Sequence, residues 1–344
     1  MKPKFIMSSG TGWSATTPLW YTLQLDNEYL HTGLKKEGGY LDVLSMTRQE
    51  RFEKEKKLRT TGGKSKTQRN RDWAKTVLEN NRQVLKELET NPDAITWADD
   101  GVAGCLAGVR KNLYFTQEEI DEFVKMPTVS RYLQYYRTHW KHLQDHNCPH
   151  QAVGDFSNSN ALLPESYCHN IVEKLSEDFD VKVVMIVRDP IRRLWSEVGG
   201  LWGPESKRQW NSEKEYTDHF LDKVNRQDYW DFIQIIEKWE RVCPIHVIIM
   251  EQLWEGEHQE RERQRLSDFL DYDIKKIHEN VYSPDRGPHA PHYLGLYDQW
   301  RSDKYWLQDE LYNKVRPLFP VYQQWVDKYG SLPLYWGKPY NYEV

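Results

Sequence analysis

No part of the chain stays apolar for the roughly 20 residues that a membrane-crossing helix needs. The first ten residues also lack the long apolar core of a secretory leader, so the expected setting is cytoplasmic, with no membrane partner. Cysteine is scarce. Cys105, Cys148, Cys168 and Cys243 form no Cys-x-x-Cys pair, which argues against both a disulfide frame and a zinc signature. An excess of one charge is missing too: 47 basic residues face 52 acidic ones, a net charge of −5, so no global basic field argues for nucleic acid. Glycine and proline are too few for wholesale disorder. No Gly-Lys-Ser/Thr ends a glycine-rich loop, which counts against an ATP- or GTP-using P-loop enzyme.

What is abundant is aromatic: fifteen Trp and twenty-one Tyr. Most suit core and helix packing, and a few suit the lining of a sugar or nucleotide pocket. The chain is organised around Lys182 to Trp202. Val183 to Val187 is an apolar, largely β-branched run that predicts a strand buried on both faces, as in a parallel sheet. Pro190 ends the ladder and fits the first turn of a helix, with Asp189 as its N-cap. Strand, short turn and helix N-terminus together place Arg188, Arg192, Arg193 and Ser196 at the carboxyl edge of an open α/β sheet, where ligands bind. A guanidinium and a hydroxyl beside free amides suit an anion such as a phosphate.

Arg188-Asp189-Pro190-x-x-Arg193-x-x-Ser196 after an apolar strand resembles the 3′-phosphate-binding segment of the sulfotransferases. These enzymes move a sulfuryl group from 3′-phosphoadenosine 5′-phosphosulfate (PAPS) to an acceptor. The resemblance implies that Arg188 and Ser196 hold the 3′-phosphate. It extends to the N-terminal strand, Lys4 to Ser9, whose small-residue loop (Ser9 to Thr17) leads into an aromatic-rich helix expected over Leu19 to Leu30. Gly12, Trp13, Ser14, Ala15, Thr16 and Thr17 stand where the family binds the 5′-phosphosulfate. Trp13 takes the place of the usual Lys or Arg, with Lys35 and Lys36 as candidate substitutes. The segment Gly33 to Tyr40 resembles the family's Lys-Glu-x-x-Phe/Tyr stretch, which makes Glu37 the candidate base and Lys36 a donor to the sulfuryl oxygens.

Gln151 to Phe156 predicts another strand, and the stretch after it resembles the family's acceptor-facing Gly-Glu-Lys-Ser/Thr-Pro. Asp155 keeps the acidic place and Phe156 stands where Lys is common. Ile245 to Met250, Glu251-x-Leu253 and a helix over Gln259 to Leu270 resemble the end of the family core, where Glu251 has a structural part only. His139, His142, His146, Cys148 and His150 crowd together. A half-buried polar edge, a metal site and an acceptor-side base that competes with Glu37 are the readings open to them.

Residues 41–150 read as a mainly helical insertion, with a basic run from Arg48 to Lys75 that suits either a solvated helix face or a lid over an anionic acceptor. Arg286 to His289 could form a late loop over the nucleotide. The expected architecture is one domain over 1–344, a P-loop NTPase-like α/β fold with a central parallel sheet flanked by helices. The resemblance implies sulfuryl transfer from PAPS, without a metal, to a hydroxyl or amine of an acceptor such as a glycan. A P-loop kinase and a catalytically silent binder of adenosine 3′,5′-bisphosphate (PAP) are the other classes. Oligomeric state is not encoded in any motif.

Overall fold

The computed structural model of the chain describes residues 2–12, 14–33, 116–125, 129–200, 213–226, 231–254, 258–278, 313–333 and 336, with isolated positions between 41 and 91. Its centre is an all-parallel five-stranded sheet. The strands are β1 (Lys4–Ser8), β2 (Leu30–His31), β3 (Ala152–Asp155), β4 (Asp180–Val187) and β5 (Ile245–Ile249), in the order β2-β3-β1-β4-β5. Phe5 sits opposite Val153 on one side and Val181 on the other, so β1 is the central strand. The chain leaves β1 towards β2 and β3, then crosses to β4 and β5.

Helices cover both faces, which makes three layers. The period-two alternation of the strands decides which residue meets which layer. Phe5, Met7, Val153, Val183, Met185 and Val187 face one core, with α3 (Val129–Asp145), α4 (Glu165–Ser176), α7 (Phe232–Glu240) and α10 (Phe319–Tyr329). Ile6, Ala152, Val184, Ile186 and Ile248 face the other, with Leu19 and Trp20 of α1 (Thr16–Tyr21) and Leu266 and Leu270 of α9 (Gln259–Leu270). Val183 to Val187 expose no surface at all, as a strand covered on both faces requires. Each such side chain contributes about 1.5–3 kcal/mol relative to exposure.

Helices α2 (Gln117–Lys125) and α3 precede β3. Helices α5 (Pro190–Gly200) and α6 (Glu213–Asn225) follow β4, and the short α8 (Met250–Trp254) follows β5 directly. The expected helix over Leu19 to Leu30 is broken. α1 stops at Tyr21, a π-helical turn covers Thr22–Asp26, and Leu30 is in a strand. Asn27 is the reason. Its Nδ2 donates to Thr22 O at 2.6 Å and Lys276 O at 2.7 Å, and its Oδ1 accepts from Lys275 N at 2.7 Å. A side chain that answers both its own helix end and a distant loop outweighs local helix propensity. Glu28 then turns through φ 48°, which directs Leu30 and His31 into pairing with Ala152 and Val153.

Two strand lysines tie the sheet to α9. Lys4 reaches Leu270 O, and Lys182 reaches Phe269 O at 2.6 Å and Asp271 at 2.7 Å, so both place positive charge at the helix C-terminus. Among the described residues, no helix is long and apolar enough to cross a membrane.

Gly154 shows how closely β3 lies on β1: a Cβ there would sit 2.2 Å from Ile6 O. Gly154→Ala should therefore push the two strands apart and lower the unfolding free energy by about 1–3 kcal/mol. Urea denaturation measures this, and an unchanged midpoint would contradict the packing described.

Candidate functional site

In a parallel sheet every strand ends at the same edge, and the loop after β1 and the turn after β4, which carry candidate residues, lie there. Beyond β1, Ser9 N continues the ladder by donating to Val184 O at 3.0 Å. The chain then folds into a tight loop. Ser14 N donates to Thr11 O at 3.3 Å, and the Thr11 and Ser14 hydroxyls lie 2.6 Å apart. Ala15 caps α1 in the left-handed region, at φ 62° and ψ 32°. For a residue with a Cβ this conformation costs on the order of 1 kcal/mol or more and marks a constrained turn. Gly10 is needed for contact, since a Cβ would lie 2.6 Å from the Thr16 methyl and 2.9 Å from Ile186. Gly12 has nothing within 4 Å of an added Cβ. A loop of small residues that closes on a helix start is suited to turning main-chain amides towards an anion. Thr16 and Thr17 lie in the first turn of α1. Trp13 lies outside the described residues.

The turn after β4 is beside this loop because β4 is hydrogen-bonded to β1. Asp189 caps α5 as the sequence predicts: its Oδ1 accepts from Ile191 N and Arg192 N, both at 3.0 Å. Its own N–H donates to Oε1 of Glu251 at 3.1 Å, and Tyr322 donates its hydroxyl to Asp189 Oδ1 at 3.1 Å. Glu251 is wholly buried. Its Oε2 accepts from Trp336 Nε1 at 2.9 Å, and Arg192 lies 3.7 Å from its Oε1. Burial, then the neighbouring Asp189, push the Glu251 carboxyl upward, while Arg192, Arg188 and the Trp336 hydrogen bond pull the other way. Arg188 is half-buried at the head of the turn. Ser196 lies on α5, and its side chain is outside the described residues. Arg193 points elsewhere: it pairs with Glu197, which also holds Lys223 of α6. The second arginine of the pattern thus pairs within α5, and Glu197 ties α5 to α6 through Lys223.

At the end of β3, Asp155 is fully buried. Oδ1 accepts from Ser157 N at 3.0 Å and from the Ser157 hydroxyl, and Oδ2 accepts from Tyr132 at 3.1 Å. Burial, with Asp155 beside it, holds the Tyr132 phenol well above its ordinary value, so it stays a donor. Phe156 is wholly buried in the α1–α9 core. Asn160 reaches back to Ser8 O at 3.1 Å and fastens the stretch after β3 to the end of β1. Ser9 Oγ and Asn160 Oδ1 are buried and have no hydrogen-bond partner among the described residues.

The histidine cluster is a buried chain of hydrogen bonds. His139 Nδ1 lies 2.8 Å from Glu119 Oε1, and its Nε2 lies 2.8 Å from His31 Nδ1. All three residues are fully buried; of the other histidines expected at a half-buried edge, His142 and His150 are buried and His146 is half-buried. Gly33 N–H donates to His31 Nδ1 at 3.0 Å, which assigns that nitrogen as an acceptor. His139 Nε2 is then the donor to His31, and its Nδ1 is taken up by the 2.8 Å contact to Glu119. Both nitrogens of His139 are committed, which leaves it poorly suited to be a substrate base. Burial alone would raise the Glu119 pKa. Its hydrogen bond to His139, the charges of His139 and His142 and the Thr116 amide outweigh burial and lower it. Among the described residues no group of three or more His, Cys, Asp or Glu could hold a metal ion.

Lys35, Lys36, Glu37, nearly all of Arg48 to Lys75, and Arg286 to His289 fall outside the described residues. Glu119, His31, Asn160, Tyr322 and Trp336 had no assigned part in the sequence. Only Glu119 carried a signal, as the last residue of the Thr116-x-x-Glu119 capping box. That box forms, with Thr116 N 2.7 Å from Glu119 Oε2. No protein-family model matches the chain, and no curated protein matches it.

Buried His142 and half-buried His246 set an acid response. Burial lowers His142 and His246 from an ordinary 6.5 to about 4. The unfolded chain therefore takes up protons first, and stability present above pH 6.5 is lost as pH falls towards 4. Each group contributes at most about 1.4 kcal/mol per pH unit. Glu119, also lowered, extends the loss further into acid. His246 stacks on Phe269 with ring centroids 5.3 Å apart, so His246→Phe should keep the packing and flatten the fall of the melting temperature between pH 6.5 and 4. An equal slope in wild type and variant would contradict this assignment.

Proposed function

We propose that the chain binds a 3′-phosphorylated adenine nucleotide across the ends of β1 and β4 and is a PAPS-dependent sulfotransferase of the P-loop-like type. The observation that carries the reading is adjacency. The loop at 9–15 and the turn at 188–192 come from neighbouring parallel strands, roughly 4.8 Å apart, and open on one edge. A nucleotide with phosphates at both ends of its ribose spans such a distance. In this reading the amides of Gly12 to Thr17 hold the 5′-phosphosulfate, and Arg188 with Ser196 holds the 3′-phosphate.

The acceptor oxygen would attack sulfur in line with the bond to the 5′-phosphate. That bond breaks, PAP leaves, and Glu37 takes the acceptor's proton. Like phosphoryl transfer, this step depends on positioning and on neutralising charge around the moving group. The commitment of both His139 nitrogens favours Glu37 over that histidine as the base. Lys36, as a donor to the sulfuryl oxygens, would stand in for the cation absent at Trp13. The acceptor is a hydroxyl of a glycan, a reading that draws on the aromatic content and the basic run of the sequence.

A silent PAP binder is the second reading, favoured by the buried Phe156. A kinase has less support, because no loop lysine of the Walker type is present.

A thermal-shift screen tests the proposal. PAP at a hundredfold excess over its Kd should stabilise the fold by about 2.7 kcal/mol without magnesium. ATP, with or without magnesium, should do much less, and Arg188→Ala should weaken PAP by roughly 10- to 100-fold. Stabilisation by ATP with magnesium, and none by PAP, would overturn the reading. Release of PAP from PAPS in the presence of a glycan acceptor separates the enzyme from the silent binder.

A further inference from the structure

We propose that Ser9 and Asn160 form a subsite for the hydroxyl of the acceptor, at the junction of β1 with β3. The inference rests on the nucleotide reading above and deepens it, since it gives the acceptor a side of the sheet and a chemical class.

Two polar atoms at this junction are left over. Ser9 Oγ and Asn160 Oδ1 belong to wholly buried residues, and neither has a hydrogen-bond partner among the described residues. They are close neighbours: Asn160 Nδ2 donates at 3.1 Å to Ser8 O, the carbonyl oxygen of the peptide unit that Ser9 N completes. Met7 and Asp155 are register partners. Ser9 lies two residues past Met7, on backbone that still bonds to β4, so it faces the same layer as Met7.

The surroundings hold both atoms in place. Ser8 O can only accept, which fixes the Asn160 amide with its nitrogen towards β1 and Oδ1 turned away. Asn160 sits on a 3-10 turn, Asn158–Leu162, that is gripped from α7: Lys238 Nζ donates to Ala161 O and Leu163 O, both at 2.7 Å. Burial pulls the Lys238 ammonium below its ordinary pKa, so the grip is kept at a cost. Ser9 is fixed through its main chain, by the bond from its N–H to Val184 O. Native folds leave few buried polar atoms unpaired, and two side by side mark a place that a ligand group completes.

Their chemistry selects the group. Asn160 Oδ1 can only accept a hydrogen, and the Ser9 hydroxyl can give one. An ionised phosphate or sulfuryl oxygen has no hydrogen for the amide oxygen. A hydroxyl has: it donates to Asn160 and accepts from Ser9. The nucleotide reading puts the phosphates over β1 and β4, and this junction lies on the other flank of β1, towards β3. An acceptor seated there meets the sulfuryl group from the flank opposite the 3′-phosphate. Both atoms lie beneath the surface, so the hydroxyl enters by displacing what covers them. Pairing both at once offsets that displacement, which a molecule without a hydrogen to give cannot do.

Ser9→Ala is the test, because the Ser9 hydroxyl makes no hydrogen bond among the described residues that the change could remove. Wild type and variant, as full chains, are compared by urea unfolding without ligand and by calorimetric titration with PAP. PAP release from PAPS is then followed with water alone and with a neutral N-acetylglucosamine pentamer as acceptors. Ser9→Ala should unfold at a urea concentration equal to or above that of wild type and bind PAP equally. It should release PAP about five- to tenfold more slowly, the range expected for one hydrogen bond. A hydroxyl that serves the fold gives the opposite pattern. A lower urea midpoint, a loss of PAP affinity or release at the wild-type rate overturns the subsite and leaves the nucleotide reading standing. Failure of wild type to bind PAP removes both. Binding of PAP by wild type without release from PAPS to either acceptor identifies the silent binder, and the subsite falls with the transfer step.

Discussion

The hydrogen-bonded pairing of β1 with β4 is the constraint on which the rest of the molecule depends. It is a parallel pairing at the centre of a parallel sheet, so both strands must be covered on both faces and must end at the same edge. Covering both faces explains the two cores and the helices on each side. Ending at one edge explains why a loop of small residues and an arginine-bearing turn, far apart in sequence, face the same space. β3 adds Asp155 and Asn160 to that edge, and β2 adds His31.

The edge is also where the polar cost of the fold is concentrated. Four buried carboxylates, Glu119, Asp155, Asp189 and Glu251, lie at or close behind it. A buried carboxylate left unanswered costs several kcal/mol, and a buried ion pair regains little of that. Neutral donors reach three of the four: a phenol and a hydroxyl for Asp155, helix amides and a phenol for Asp189, an amide and an indole for Glu251, which Arg192 also faces. Glu119 is the exception, held by a histidine and its own capping box. Such networks are rigid because each removed donor strands a charge.

Local chemistry was legible in the sequence and long-range chemistry was not. β1, β3, β4 and β5 declare themselves as short apolar runs, and the Asp189–Pro190 helix start follows from side-chain chemistry within three residues. β2 is invisible: two residues at the end of a helix-like aromatic stretch become a strand only because Asn27 is bound to Lys275 and Lys276. The Glu251–Trp336 bond joins positions 85 apart, and His139–His31 positions 108 apart, with no periodicity to signal either. Arg193 shows the reverse case. It belongs to the motif by spacing, yet its side chain serves Glu197. Spacing encodes which residues share an edge; it does not encode which of them the packing turns inward.

The central claim is that one nucleotide bridges the ends of β1 and β4, and a crystal structure of the chain with PAP tests it most directly. The account predicts density for the 5′-phosphate on the amides of the loop at 10–17 and for the 3′-phosphate against Arg188, with the Asp189–Glu251 clamp unmoved. A nucleotide bound elsewhere, or one whose 3′-phosphate points to solvent away from Arg188, would contradict it.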